Sequence, residues 1–292
     1  MHEIKPGIYY EDTYPGPTIG AIILPRGMIF IDAPLRPEDG HRWKSNLLNR
    51  GQGTIHKILV CLDDHPDRTI GANSLDCPIL THKEAASNLQ EQSAVFRGQF
   101  SESGSVWEKY PETSGLQWMI PDITFSDRLQ FHWADEAVLV EHHPGPRPGS
   151  SWVIIPSEKV VFIGDAVIAK GPPFLGNAHL PTWIDTLDEL LKARFRDYKL
   201  ISGRGGPVNL DHIKELKKSF RKIYRRVEKL ASRRAAVKDV SDLATKFLDD
   251  YSFLKRDREF FLQRLQHGLS QYYIKNYFPH SEENGKKSPD LS

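Results

Sequence analysis

VCLDDHPDRTIGA, residues Val60–Ala72, decides the reading of this chain. The approach to it, Ile55 to Leu62 broken by His56 and Lys57, is the β-branched, apolar pattern of a buried strand. Charge begins where that strand should end: Asp63–Arg68 holds three aspartates, a histidine and an arginine. Carboxylates and an imidazole gathered at a strand end are the materials of a metal site, intact or lost.

Outward from this stretch, strands and helices alternate. Ile19–Leu24 and Met28–Ile31, joined by Pro25-Arg26-Gly27, read as a hairpin. Pro37–Leu48 has helical spacing with Trp43, Leu47 and Leu48 on one side. After the strand at Lys57–Leu62 come a helical stretch from about Asp67 to Leu75, a short strand at Pro78–His82 and a helix over Lys83–Gln92. This order predicts an α/β layered domain. Residues 93–120 show no sustained period and read as a surface insertion, with a lid or a subunit contact as alternatives. Strands resume at Ile123–Phe125, Arg128–Phe131, Ala137–Val140, Ser151–Ile155 and Val160–Ile163. A helix over Trp183–Phe195 and a strand at Lys199–Ile201, ending in SGRGGP, close the domain at residue 208.

From Leu210 the pattern is helical. Ile213, Leu216, Phe220, Ile223, Val227 and Leu230 recur at spacings of three and four, and the opposite, basic face reads as solvated. Two further amphipathic segments, VSDLATKFLDDY and REFFLQRLQHGLSQYYIKNYF, carry too many aromatics for lone surface helices. They are expected to pack on the first domain, on each other or on a second copy, and a homodimer through them is the expected assembly. The organisation expected is a domain over 1–208 with the 93–120 insertion, a helical extension over 209–279, and a polar, disordered tail over 280–292.

Composition narrows the function classes. The chain has 292 residues, 39% hydrophobic and 26% charged, as ordinary globular proteins do. A net charge of +1 argues against nucleic acid or an anionic membrane as main partner. Two cysteines, Cys61 and Cys77, are too few for a disulfide framework, which suits a reducing compartment. Neither a signal-peptide pattern nor an apolar run of roughly 20 residues is evident, so a cytoplasmic protein is expected.

Four clusters each follow a predicted strand: Asp63–Arg68, His142–Gly149, Gly164-Asp165 and Gly203-Arg204-Gly205. Ligands gather at the carboxyl ends of strands in α/β folds, so the four are expected to converge. In this order they resemble the metallo-β-lactamase superfamily, whose strand ends read T-H-x-H-x-D-H, H-x-P-G-H-T-x-G, G-D and G-H-G. LDDHPDRTIG lies over the first motif, HHPGPRPGS over the second, FIGDAV over the third and SGRGGP over the fourth. IFIDAP resembles the family's strand-end aspartate at Asp32. The resemblance covers residues 7–208 and implies an αβ/βα sandwich. It also implies one or two zinc, iron or manganese ions that hydrolyse esters, lactams, thioesters or phosphodiesters, or in some members support redox chemistry. Helical C-terminal extensions occur in the superfamily.

The departures from that pattern are specific. The family's first-site positions are Asp63, His65 and Pro146 here, its second-site positions Asp67, Arg68 and Arg204, and its bridging aspartate Asp165. Arginine cannot ligate a metal, since its guanidinium stays protonated and has no free lone pair. At most one divalent ion is therefore expected, held by Asp63, His65 and Asp165 with His142 as fourth ligand. Strand alternation lets only one of His142 and His143 face inward. Asp67 would orient or deprotonate the metal-bound water, and Arg68 or Arg204 would stabilise an oxyanion or an anionic small-molecule substrate. Arg68 and Arg204 are expected to replace the second ion electrostatically. The alternative is a catalytically silent binding or assembly protein with no metal.

Overall fold

The computed structural model describes residues 1–51, 56–98 and 103–278. The tail expected over 280–292 lies outside the described residues. Along Gly27–Ile31, Met28 and Phe30 face one apolar layer while Ile29 and Ile31 face another. A strand buried on both faces must have cover on both sides, and the rest of the chain supplies it.

The first sheet is β1 (His2–Lys5), β2 (Ile8–Glu11), β3 (Ile19–Leu24), β4 (Gly27–Ile31), β5 (Lys57–Val60), β6 (Ile79–His82) and β7 (Ile123–Phe125), neighbours in chain order. The pairs β1–β2, β2–β3 and β3–β4 are antiparallel; β4–β5, β5–β6 and β6–β7 are parallel. Helices α1 (Pro37–Arg50), α2 (Pro66–Thr69) and α3 (Lys83–Gln90) fall between its strands. The second sheet holds β8 (Arg128–Phe131), β9 (Val138–His142), β10 (Ser151–Ile155), β11 (Val160–Phe162), β12 (Lys199–Ile201) and β13 (Pro207–Val208), also ordered as in the chain. Only β11–β12 is parallel there, and α4 (Leu180–Leu190) lies in that crossover. The helices α5 (Leu210–Ala231), α6 (Val237–Ser241), α7 (Ala244–Phe247) and α8 (Arg258–Tyr277) follow.

Between the sheets pack Ile29, Ile31, Val60, Val140, Val153 and Phe162. The approach is close: a Cβ on Gly20 of β3 would lie 2.4 Å from the Phe162 ring. Outside the first sheet, Met28 and Phe30 meet Trp43 and Leu47 of α1. Outside the second, Trp152 and Ile154 join Trp183 and Leu187 of α4, Phe220 and Ile223 of α5, and Leu269 and Tyr272 of α8. The result is an αβ/βα sandwich with a helical C-terminal region packed on its second sheet. Of the aromatics on which the expected dimer rested, Phe247, Tyr272 and Tyr273 are buried inside the chain, Tyr251, Phe253, Phe260, Phe261 and Tyr277 are half-buried, and Phe278 is exposed. No described helix is long and apolar enough to cross a membrane.

Two helices differ from expectation. The stretch expected as one helix over 67–75 is α2 followed by a separate 3-10 turn, Ala72–Leu75. Gly71 separates them, packed so tightly that a Cβ there would lie 2.0 Å from the Pro34 carbonyl oxygen. The helix expected over 183–195 begins at Leu180 and ends at Leu190, with a 3-10 turn at Ala193–Phe195.

Candidate functional site

Beyond β5 the chain turns sharply enough to point four polar side chains inward. Asp63 Oδ1 accepts the His65 N–H at 2.8 Å, and His65 then caps α2, its Nδ1 accepting the Asp67 N–H at 3.2 Å. Pro66 at the first helical position suits this start. The cap buries Asp67, Arg68 and Thr69 at the joint between the sheets.

Arg68 is fully buried among three carboxylates. Its Nε lies 2.9 Å from Asp63 Oδ1 and its Nη2 2.6 Å from Asp165 Oδ1, and its Nη1 donates to Asp32 Oδ2. Asp32 leaves β4 with a left-handed φ of 56° and also accepts the Leu62 N–H at 2.9 Å. Arg204 binds the other side of the cluster. Its Nη1 donates to Asp67 Oδ2 at 2.8 Å, its Nε lies 3.4 Å from Asp165, and its Nη2 is 3.4 Å from His65 Nδ1. Only glycine fits before it, because a Cβ on Gly203 would sit 2.3 Å from Asp165 Oδ1 and 2.5 Å from the Gly164 carbonyl carbon.

Four carboxylates against two guanidinium groups make an unusual electrostatic site. Burial pushes the Asp32 carboxyl up to about 7, against the pull of Arg68. Burial likewise raises Asp63 despite Arg68. Burial opposes ionisation of Asp165 too, yet Arg204 and Arg68 together hold it below its ordinary value. Burial works against the Arg68 charge, but Asp165, Asp32 and Asp63 keep it firmly protonated. Burial and then Arg204 drive His65 well below its ordinary value, so its ring is neutral. Nδ1 receives the Asp67 N–H and faces Arg204, which places the ring proton on Nε2.

Of the expected residues, Asp63, His65, Asp67, Arg68, Asp165 and Arg204 meet in this cluster. His142 does not join them. At the end of β9 its ring stacks on His82 with centroids 3.7 Å apart, and its Nε2 bonds the Pro148 carbonyl at 2.7 Å. His143 stacks on Trp152 instead, with its Nε2 3.4 Å from Glu141. The donor set does not fit a metal ion: Asp63 and Asp165 are ion-paired to Arg68, and the His65 lone pair is taken. Among the described residues, no group of three or more His, Cys, Asp or Glu side chains is placed to hold one.

The cluster forms one wall of a cavity of about 230 Å3. Phe174, Leu175, Trp107 and Trp183 give it an apolar lining; Ser105, Arg147, Asn177 and Arg264 add polar groups. Part of the segment expected as a surface insertion is therefore cavity wall. Asp67 draws it in, accepting the N–H groups of Val106 at 3.2 Å and Trp107 at 2.9 Å, the free donors of the turn Val106–Lys109. Arg147 pairs with Asp64 at 3.2 Å and lines both this cavity and a neighbouring one that includes Asn88, Trp118 and Lys275.

Arg264 was not anticipated. It comes from α8, well beyond the last of the four motifs in the chain. A signal existed: in FFLQRLQHGL a charge stands on the same stripe as Phe261, Leu265 and Leu269, where an amphipathic helix should be apolar.

Residues 65–205 match the metallo-beta-lactamase superfamily in sequence. No curated protein matches the chain. Its fold is similar to that of a metallo-beta-lactamase family protein from Thermus thermophilus, at a TM-score of 0.66 and 17% identity, covering 99% of this chain and 97% of that one. It is similar to a metallo-beta-lactamase from Pontibacter korlensis, at a TM-score of 0.60 and 16% identity, over 75% of this chain and 97% of the other. A third similar structure is the stereoselective inverting sec-alkylsulfatase from Pseudomonas sp., at a TM-score of 0.62 and 15% identity, over 98% of this chain and 52% of that one. At such identities the likeness shows the fold, and function has to be argued from the site.

Proposed function

We propose that this chain, a metallo-beta-lactamase-superfamily protein by its fold and its match over residues 65–205, is a small-molecule-binding protein whose metal centre is replaced by a carboxylate–guanidinium network. The observation that carries this reading is Arg68, whose three nitrogens engage Asp32, Asp63 and Asp165 at once. A guanidinium there supplies positive charge where a cation would otherwise be needed, and takes the oxygens a cation would use.

Within the network no side chain offers a free base to the cavity; the imidazole of His267, outside the network, also lines it. Asp63 and Asp165 are held by arginine, and His65 offers an N–H at Nε2 because its lone pair is occupied. A general base needs a free lone pair within reach of the proton it removes. What remains is a compact pocket, below the usual 300–1,000 Å3 or so of drug-sized sites, with aromatic walls and hydrogen-bond donors. That combination suits recognition of a small, partly apolar ligand.

Metal analysis of protein purified without chelator tests the reading. The expected result is substoichiometric zinc, iron and manganese, and an unchanged melting temperature when zinc or manganese chloride is added. One tightly bound ion per chain, lost together with a hydrolytic activity in Asp165→Ala, would overturn it in favour of a metal-dependent hydrolase.

A further inference from the structure

Resting on that binding-protein reading, we propose that Arg264 of the C-terminal helix α8 is the residue that recognises the ligand, and that the ligand is a compact organic oxyanion. Carboxylates, sulfonates and sulfates share this chemistry, joined here to an aromatic or aliphatic body. The two arginines of the sequence motifs are unsuited to the task. Arg68 has all three nitrogens on carboxylates, and Arg204 is committed to Asp67 and Asp165.

Arg264 differs from both. It is 2% exposed, and its guanidinium lies 4.0 Å from the Phe174 ring centroid and 4.8 Å from that of Phe261. Its Nε donates to the Gly104 carbonyl at 2.8 Å and its Nη1 to the Pro172 carbonyl at 3.2 Å. Among the described residues no ion pair to it is found, although the residue lines the cavity. Buried arginine ordinarily has a carboxylate partner, because an uncompensated charge in a low-dielectric site is strongly disfavoured. Burial, then the neighbouring Arg204, push its pKa down to about 9, with Asp67, Asp165 and Glu108 offsetting part of the effect. It is still a cation at neutral pH, but an under-compensated one.

An oxyanion in the cavity would supply the missing countercharge, while Trp107, Phe174 and Trp183 pack on its body. The geometry also gives the helical extension a purpose: α8 completes a pocket whose other walls come from the sandwich. Sequence motifs of the sandwich alone would leave this cation out.

The test titrates the full-length chain with sodium benzoate, sodium benzenesulfonate and neutral benzamide, read by tryptophan fluorescence and melting temperature. The expected result is saturable binding of both anions, at least roughly tenfold weaker binding of benzamide, and at least roughly tenfold loss of anion affinity in Arg264→Gln. Arg264→Lys, which keeps the charge, should retain part of it. If Arg264→Gln does not fold, the wild-type preference for benzoate over benzamide and the Arg264→Lys titration decide. Equal binding of benzamide, no response to either anion, or full affinity in Arg264→Gln would each overturn the assignment and leave Arg264 as a packing residue. Metal analysis of the same preparations keeps the two ideas separate: bound metal refutes the binding-protein reading, whereas absent anion discrimination in metal-free protein refutes only the role of Arg264.

Discussion

Replacing Arg68 by methionine is the sharpest probe of the network. The side chain is 0% exposed, and its removal leaves Asp32, Asp63 and Asp165 facing one another without the cation that holds them. Breaking a buried ion pair by deleting one partner costs about 3–5 kcal/mol, a large part of the roughly 5–15 kcal/mol that stabilises a typical protein. At about 2–4 °C per kcal/mol for large single-domain chains, the melting temperature should fall by about 6–20 °C. The loss should be smaller at pH 5.5 than at pH 8, because the stranded carboxylates bind protons more tightly in the folded protein than in the unfolded chain. Manganese provides the second half of the experiment. With Arg68 gone, the three carboxylates become an oxygen site for a divalent ion, which at about 100 times its Kd would restore about 2.7 kcal/mol. Thermal unfolding of wild type and Arg68→Met by circular dichroism, with and without manganese chloride, reads both effects. A loss below about 1 kcal/mol, or an equal manganese response in wild type, would refute the idea that the guanidinium stands in for a metal ion.

Three further outcomes are expected. Because Asp32 titrates near 7 in the fold against an ordinary value of 3.8, wild-type stability to urea should decline as pH rises from about 4 to about 7. Asp32→Asn should flatten that decline, whose slope from one proton is at most about 1.4 kcal/mol per pH unit. Gly203→Ala should destabilise by about 1–3 kcal/mol in chemical denaturation, since the added methyl meets the Gly164 backbone and Asp165 in a packed core. Sedimentation velocity at micromolar concentration should return a single chain, because most of the C-terminal aromatics are used in intrachain packing.

How much of this was legible in the sequence varies with the distance over which the physics acts. Strand existence was readable because burial on two faces leaves unbroken apolar runs, as in β4 and β10, and most expected strands stand within a residue or two of where they form. The break at Gly71 was not, because it depends on the Pro34 carbonyl of a distant loop. The cluster was legible in part. Asp63, Asp67, Arg68, Asp165 and Arg204 share strand ends that the topology brings together, whereas His142 is taken by a ring stack with His82 that spacing along β9 cannot reveal.

By itself the sequence determined the αβ/βα architecture, the residues that gather at the strand ends, and the impossibility of metal ligation by Arg68 and Arg204. The α/β layering and the arginine chemistry follow from periodicity and side-chain chemistry, which are local properties, whereas the αβ/βα sandwich was implied by the resemblance of the four motifs. Only the tertiary structure decided that Arg68 binds three carboxylates at once, that residues near Trp107 wall the cavity, and that Arg264 enters it from α8. Each of these joins groups far apart in the chain, Arg68 with Asp32 and Asp165, Asp67 with the turn at 106–107, and α8 with the strand ends, so packing between elements and not any local pattern sets it.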